Sequence, residues 1–214
     1  MIKAYLFDFD GTLVDSMPAY ISVMTGVLDD FGIEYGDDLI KTITPLGTAG
    51  TIKYYIEELG VKCTPEELAE RFGKDMYSEY ANNIPAKNNV ISALEVLKER
   101  GFSLNVLTAS PHLTLDVCLK RLGIFDLFDN VWSCDDFNTS KADPEIYRMC
   151  AEKIGKKVED IMFLDDNFNA DKTAKSAGMI VCGVYDESSK EYEDEIKTVT
   201  DFYIYDFEEL SKIS

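Results

Sequence analysis

Histidine is almost absent from this chain of 214 residues, and its scarcity excludes several kinds of active site. The single histidine, His112, cannot build a His-rich zinc centre, and it argues against a Ser-His-Asp triad. The five cysteines are widely spaced, and no two of them form a CxxC pair. An odd number of cysteines without a pattern predicts buried or free thiols of a reducing compartment rather than a disulfide framework.

Positive charge and long apolar runs are also scarce. Lys and Arg total 21 against 40 Asp and Glu, which gives a formal net charge of −19. Such a field repels the phosphates of nucleic acid and anionic lipid, so we expect neither nucleic acid nor a membrane as a partner. No run approaches the roughly 18 apolar residues of a membrane span, and the N-terminus lacks the apolar core of a signal peptide. We expect a cytoplasmic protein, and we expect it to be a monomer.

Strand-like and helix-like segments alternate from about residue 87 onward. Short apolar, β-rich runs occupy residues 104–107, 131–132, 161–164, 180–184 and 202–204. Helical patterns occupy residues 90–100, 111–122, 144–154, 169–177 and 207–213. Residues 2–7 form one more strand at the start of the chain. This alternation predicts an α/β fold whose core is a Rossmann-like parallel sheet.

The chain between the first strand and residue 84 has a different texture. Helical patterns at 18–31, 49–59 and 65–82 are separated by Gly, Thr and Pro signals, and no strand pattern occurs there. We therefore predict an inserted α-helical cap domain at residues 15–84. Residues 1–14 and 85–214 would form the α/β core domain.

Polar residues end several of the predicted strands. The first strand runs into Asp8-Phe9-Asp10-Gly11-Thr12, another ends in Thr108-Ala109-Ser110, and a third ends in Asp165-Asp166. In open α/β sheets, ligands bind beyond the carboxyl ends of the strands. The sequence therefore predicts a single polar site at that edge of the sheet.

The carboxylates of this edge indicate a metal ion. Asp8 and Asp10, two residues apart on an extended chain, point to the same side. Adding Asp165 and Asp166 concentrates negative charge that is costly unless a cation is present. Carboxylate ligands without His or Cys select Mg²⁺ rather than zinc. A bound Mg²⁺ would also admit an anionic substrate to an acidic protein.

The remaining candidates are a hydroxyl, an amide and an ammonium group. Ser110-Pro111 has the form of an N-cap followed by a first-turn proline, so the Ala109 amide would lie near a helix N-terminus that attracts anions. Thr108 precedes that amide. His112 falls in the first turn, where it either contacts a phosphate or is an ordinary surface residue. Lys141 stands two residues before another helix start, Asp143-Pro144.

In order and spacing, these motifs resemble the haloacid dehalogenase superfamily, in its phosphoryl-transferring branch with a helical cap after the first strand. The similarity is to the group of beta-phosphoglucomutase and phosphoglycolate phosphatase. Its four motifs are the segment from Asp8 to Ser16, the segment from Leu107 to Ser110, Lys141 before Pro144-Glu145-Ile146-Tyr147, and Asp165-Asp166 before Ala177-Gly178. The chain departs from the family in the last motif, where Ala170 follows Asp166 by four residues and Asp171 by five.

The resemblance implies roles for these residues. Asp8 would attack a phosphoryl group and form an aspartyl-phosphate, and Asp10 would serve as acid and base. The phosphoryl oxygens would be held by Thr108, the Ala109 amide and Lys141. Mg²⁺ would be bound by Asp8, the backbone carbonyl of Asp10, Asp166 and also Asp165. The expected partner is a small phosphorylated metabolite.

Several functions remain open at this point. The leading one is a Mg²⁺-dependent phosphatase of a small phosphomonoester such as a sugar phosphate. A sugar phosphomutase would use the same Asp8 and return the phosphoryl group to the sugar. Residues 45–50 of the insertion carry no arginine, and Lys53 is the nearest cation, which favours the phosphatase over a mutase that handles bisphosphates. A phospho-accepting signalling module and a non-catalytic scaffold are the alternatives outside enzymes of this kind.

Overall fold

Six strands form one parallel sheet in the computed structural model, which describes residues 1–213 apart from the side chain of Pro45. The strands are β1 Ala4–Phe7, β2 Ser103–Thr108, β3 Asn130–Ser133, β4 Ile161–Asp165, β5 Ile180–Val184 and β6 Phe202–Ile204. Their order across the sheet is β3-β2-β1-β4-β5-β6, and each neighbouring pair is parallel. The predicted Rossmann-like parallel sheet is confirmed.

Ten α-helices accompany these strands in the described chain. They are α1 Met17–Asp30, α2 Leu39–Ile43, α3 Gly47–Glu57, α4 Pro65–Asn82, α5 Val90–Glu99, α6 His112–Arg121, α7 Pro144–Ile154, α8 Phe168–Ala177, α9 Glu193–Val199 and α10 Leu210–Ile213. None that the structure describes combines the length and apolarity needed to cross a membrane.

The strand order fixes where a ligand can bind. Strands β1 and β4 are neighbours in the sheet although more than half of the chain separates them, and the strand order reverses between them. The register pairs Phe7 with Val106 on one side and with Leu164 on the other. The residues that follow Phe7, Thr108 and Leu164 therefore emerge at one edge, at the switch point where such sheets bind ligands.

The chain divides into two compact units. One consists of Met1–Ser16 together with the chain from Ile84 onward, and the other is Met17–Asn83. The sheet of the first unit is apolar and buried, since every residue of β1 and β4 is buried, and Phe163 packs edge-on against Tyr147 with ring centroids 5.1 Å apart. Each such ring contributes about 1.5–3 kcal/mol through its burial.

The second unit contains helices α1 to α4 and its own apolar core. Val27, Leu28, Tyr55 and Leu68 are buried there, and the Tyr55 hydroxyl donates to the carbonyl of Met24 at 3.1 Å. Helix α4 begins with a reciprocal capping box, in which the Thr64 hydroxyl accepts from the amide of Glu67 and the Glu67 carboxylate accepts from the amide of Thr64. The assignment of this second unit as a cap domain stays a prediction.

The segment boundaries differ from the sequence prediction in a few places. Helix α6 begins at His112, so Pro111 rather than Ser110 occupies the N-cap position. Proline there is extended, with φ −72° and ψ 153°, and the Ser110 hydroxyl bonds elsewhere. Helix α2 was not predicted, because its five residues are too few to show a helical period.

Candidate active site

The predicted site residues line one cavity of about 430 Å³ at the carboxyl edge of the sheet. Those that line it are Asp8, Asp10, Thr108, Ala109, Lys141, Asp165 and Asp166. Each comes from a strand end or from the loop before a helix, so the sheet brings together residues separated by as many as 158 positions (166 − 8 = 158). The sequence prediction named every one of these seven residues.

Asp8 lies at the centre of the site. It follows β1 directly, and its amide donates to the carbonyl of Leu164 in β4 at 2.8 Å, which fixes the backbone between two strands. Its side chain is buried, and the Lys141 ammonium contacts Oδ1. Burial is the largest influence on the pKa of Asp8 and raises it to about 7, although the charge of Lys141 acts in the opposite direction.

Lys141 bridges two carboxylates. Its Nζ donates to Asp8 and, at 2.8 Å, to Oδ2 of Asp165. Burial alone would lower the pKa of Lys141, but the charges of Asp165 and Asp8 outweigh it and the net shift is upward. Lys141 is therefore a permanent cation between two acids. It also lies on the wall of the cavity, where a phosphoryl oxygen can approach it.

The loop that carries Lys141 is held by the helix that follows. Asp143 caps α7 by accepting from the amide of Glu145 at 2.9 Å, and Pro144 occupies the first turn, as predicted. The hydroxyl of Tyr147, which faces back from α7, lies 3.2 Å from the carbonyl of Lys141. Tyr147 is fully buried, so this contact anchors the lysine backbone to the core.

Three carboxylates face one another beside Lys141. Asp8, Asp165 and Asp166 each offer one oxygen, and these oxygens lie within 4.8 Å of one another. Burial and the charges of Asp165 and Asp8 raise the pKa of Asp166 well above its ordinary value. A set of oxygen ligands under mutual repulsion fits a hard divalent cation, which would remove the repulsion on binding.

A tight turn after β1 holds Asp166. Gly11 has φ +75°, and a Cβ at that position would come within 2.6 Å of the Asp166 carboxylate oxygens. The buried Thr12 hydroxyl donates to Oδ1 of Asp166 at 3.2 Å. The structure thus explains why the motif has glycine and threonine at these two positions: the turn packs closely against the carboxylate of Asp166.

Asp10 has a partner that the sequence did not indicate. The Ser110 hydroxyl donates to Oδ2 of Asp10 at 2.5 Å, and the Ser110 amide donates to the hydroxyl of Thr108 at 3.0 Å. These bonds replace the N-cap role that we predicted for Ser110. They connect Asp10 to the loop that carries Thr108 and Ala109.

His112, for which the sequence left both a phosphate contact and a surface position open, is bound by two carboxylates. Its two ring nitrogens lie 2.9 Å from Asp116 and 2.8 Å from Asp136. The hydrogen bond to Asp116, followed by that to Asp136, raises the pKa of His112. The side chain is exposed and does not line the cavity that contains Asp8.

Asp171, in α8, is a buried acid next to the site. It is fully buried, and neither carboxylate oxygen finds a hydrogen-bond partner among the described residues. Burial, reinforced by Asp165 and Asp166, raises the pKa of Asp171 well above its ordinary value. The sequence showed that this acid is displaced by one position, but it gave no sign that the acid is buried.

Comparison with known proteins agrees with this geometry. The family model described as haloacid dehalogenase-like hydrolase matches residues 5–184. YhcW of Bacillus subtilis, to which phosphatase activity is ascribed, is 31% identical over 188 residues, covering 84% of this chain and 81% of its own. The phosphorylated carbohydrates phosphatase of Thermotoga maritima is 27% identical over 178 residues, covering 83% and 82%.

A solved structure supports the fold independently. The crystal structure of a Thermotoga maritima protein assigned as a beta-phosphoglucomutase superposes with a TM-score of 0.85, covering 99% of this chain and 98% of its own. The two sequences are 24% identical, so this likeness concerns the fold alone.

Proposed function

The chain belongs to the haloacid dehalogenase-like hydrolase family, and from that premise we propose that it is a Mg²⁺-dependent phosphatase of small phosphomonoesters. The substrate class that we propose is a sugar phosphate. The observation that carries the proposal is the contact of Lys141 with both Asp8 and Asp165, beside Asp10 and Asp166, in one cavity. This arrangement provides a nucleophile, an acid and a permanent cation for a phosphoryl group.

In the first half-reaction, a carboxylate oxygen of Asp8 attacks the phosphorus atom. A phosphorus–oxygen bond to Asp8 forms as the bond to the sugar oxygen breaks, and protonated Asp10 gives its proton to that oxygen. Lys141, the Thr108 hydroxyl and the Ala109 amide bind the phosphoryl oxygens while charge redistributes. The Ser110 hydroxyl orients Asp10 by donating to Oδ2.

In the second half-reaction, the aspartyl-phosphate is hydrolysed. Asp10, now ionised, takes a proton from a water molecule whose oxygen attacks phosphorus, and the bond between phosphorus and the Asp8 oxygen breaks. Inorganic phosphate leaves and Asp8 is restored. Asp10 ends this step protonated and is ready for the next substrate.

The residues that would hold Mg²⁺ are Asp8, Asp165 and Asp166, together with the backbone carbonyl of Asp10. The fit rests on the three carboxylate oxygens that face one another within 4.8 Å. When bound, the cation offsets the negative charge of the carboxylates and of the phosphoryl group.

Hydrolysis is proposed over phosphoryl return to the sugar because both sequence relatives described above carry phosphatase names, one of them for phosphorylated carbohydrates. The test is phosphate release from a panel of sugar phosphates and other phosphomonoesters, each with Mg²⁺ and with EDTA. Asp8→Asn should lose more than about 10³-fold in kcat, because an amide cannot form the acyl-phosphate. Asp126→Asn, which removes an exposed acid, is the matched control and should behave as wild type.

The same assay separates the alternatives. Isomerisation of a sugar phosphate without phosphate release would favour the mutase. Substantial turnover by Asp8→Asn would exclude the covalent route, and full activity in EDTA would exclude the metal.

A further inference from the structure

Lys87 is a partly buried cation that contacts the turn after β1, and the proposed mechanism does not use it. Its side chain is 17% exposed, and its three ammonium hydrogens are matched by three acceptors. Nζ lies 2.7 Å from the carbonyl of Gly11, 2.6 Å from the carbonyl of Tyr185 and 2.9 Å from Oδ2 of Asp186. A partly buried lysine with every donor satisfied is held in one geometry.

The backbone around Lys87 is tied to the loop after β1. The Lys87 amide donates to the carbonyl of Leu13 at 3.0 Å, the Asp15 amide donates to the carbonyl of Pro85 at 3.0 Å, and Val14 and Ala86 form an antiparallel bridge. Lys87 thus binds the turn from Gly11 to Val14 twice, through its backbone amide and through its side-chain ammonium.

Asp186, in the loop after β5, completes the arrangement. It follows β5, is buried, and has its other oxygen, Oδ1, bound by the amide of Ser188 at 2.9 Å and by the Ser188 hydroxyl at 2.5 Å. Asp186 is therefore itself immobilised. Lys87 connects this fixed point after β5 to the turn after β1.

That turn is the one that packs on Asp166. Gly11 lies against the Asp166 carboxylate, and the Thr12 hydroxyl donates to it. The positive charge of Lys87 also acts on Asp166, where it opposes the upward shift in pKa caused by burial and by the neighbouring carboxylates. Lys87 therefore influences Asp166 in two ways: through its contact with the turn that packs on Asp166, and through its charge.

We infer that Lys87, braced by Asp186, is a positioning residue for cation binding: it fixes the Gly11–Thr12 turn that holds Asp166. The inference rests on the proposed function in that it takes Asp166 as a ligand of Mg²⁺. Residues that orient metal ligands typically change metal affinity by about 10–100-fold when removed, and we expect a loss in that range.

The test is Mg²⁺ affinity by isothermal titration calorimetry, without substrate, on the whole protein. Lys87→Met removes the donors but leaves the buried carboxylate of Asp186 without its ion-pair partner, so the principal variant is the double substitution Lys87→Met with Asp186→Asn. It should weaken Mg²⁺ binding about 10–100-fold. Lys87→Arg, which keeps the charge, should recover most of the loss. At saturating Mg²⁺ the double variant should regain most of its kcat.

The control is Lys3→Met, because Lys3 makes an ion pair with Asp160, 2.7 Å apart, at the opposite end of β1 and β4, although its side chain is 53% exposed where that of Lys87 is 17% exposed. Loss of a lysine charge as such would weaken Mg²⁺ binding in both variants, whereas a positioning role affects only Lys87. A double-mutant cycle sharpens the distinction. If Lys87 acts through the turn, then adding Thr12→Val to the principal variant should cost less affinity than Thr12→Val costs alone.

Unchanged Mg²⁺ affinity in the principal variant, an equal loss in Lys3→Met, or strict additivity with Thr12→Val would each overturn the inference. If wild type releases phosphate in a Mg²⁺-dependent way and the Lys87 variants bind Mg²⁺ normally, then only the positioning role fails. If wild type neither binds Mg²⁺ nor releases phosphate, then the proposed function fails and the positioning role with it.

Discussion

The hydroxyl of Ser110 donates a 2.5 Å hydrogen bond to Oδ2 of Asp10, joining the loops after β2 and β1 across 100 positions of sequence. A carboxyl group that must give and then take a proton works only if one oxygen faces the reacting atoms in both steps. The bond from Ser110 holds the other oxygen. It therefore selects one orientation of the Asp10 side chain.

Ser110→Ala should reduce kcat about 10-fold with little change in KM, because the variant keeps the acid and the phosphate-binding groups but loses the orientation of Asp10. Steady-state kinetics on the best substrate of the panel would measure this. Ser92→Ala removes a serine of α5 whose hydroxyl donates to the carbonyl of Asn89 at 3.1 Å, and it should leave both constants unchanged. A rise in KM alone for Ser110→Ala would assign the serine to substrate binding instead.

Lys141→Met should destabilise the metal-free protein as well as abolish turnover. The ammonium separates two buried carboxylates, and removing one partner of a buried ion pair typically costs about 3–5 kcal/mol. Urea denaturation in EDTA would measure this cost, and Mg²⁺ should reduce it by supplying positive charge to the same acids. Lys175→Met, which breaks an exposed pair with Asp201, should lose less than about 1 kcal/mol. Equal losses in the two variants would contradict the central role of Lys141.

Much of this site could be predicted because parallel sheets collect strand ends. Asp8, Thr108 and Asp165 follow short apolar runs, and the register of β1, β2 and β4 brings the three runs to one edge. Lys141 was predictable from the helix start at Asp143-Pro144. For these residues, local pattern and topology give the same answer.

Contacts between side chains could not be predicted from local pattern and topology. The residues next to Ser110 predict an N-cap, yet its hydroxyl bonds instead to Asp10, which lies in the loop after β1. Lys87 has no local signal, because its three acceptors come from the loops after β1 and β5. The burial of Asp171 also depends on tertiary packing. Helix α8 consists largely of polar and small residues, so its sequence does not show which face is buried.

Asp171 should make stability fall as the pH rises above about 4. Its pKa in the folded protein is well above its ordinary value because of burial and of the nearby Asp165 and Asp166. An unfolded Asp ionises near pH 3.9, so between about that pH and the higher folded pKa the native state binds more protons than the unfolded state. Unfolding then releases a proton and becomes easier as the pH rises.

Asp171→Asn removes this titration and nearly keeps the shape. The variant should gain stability relative to wild type as the pH is raised from 5 to 8, measured by urea denaturation in EDTA. Asp126→Asn, an exposed acid, should follow wild type at every pH. A difference between Asp171→Asn and wild type that stays constant over this range would show that Asp171 has the same charge folded and unfolded.

Asp166→Asn should separate stability from function. At a pH high enough to ionise all three, Asp8, Asp165 and Asp166 repel one another when no cation is bound, and removing one charge relieves that repulsion while the Thr12 hydroxyl keeps an oxygen to bond. Without Mg²⁺ the variant should therefore melt about 2–4 °C above wild type, the shift that about 1 kcal/mol produces in a chain of this size. With Mg²⁺ the order should reverse, because only wild type binds the cation tightly and is stabilised by it.

Melting curves across a Mg²⁺ titration would measure both effects, with Asp126→Asn as the control. A variant that is less stable than wild type in EDTA would mean that Asp166 is needed for folding, and an unchanged response to Mg²⁺ would remove it from the metal site.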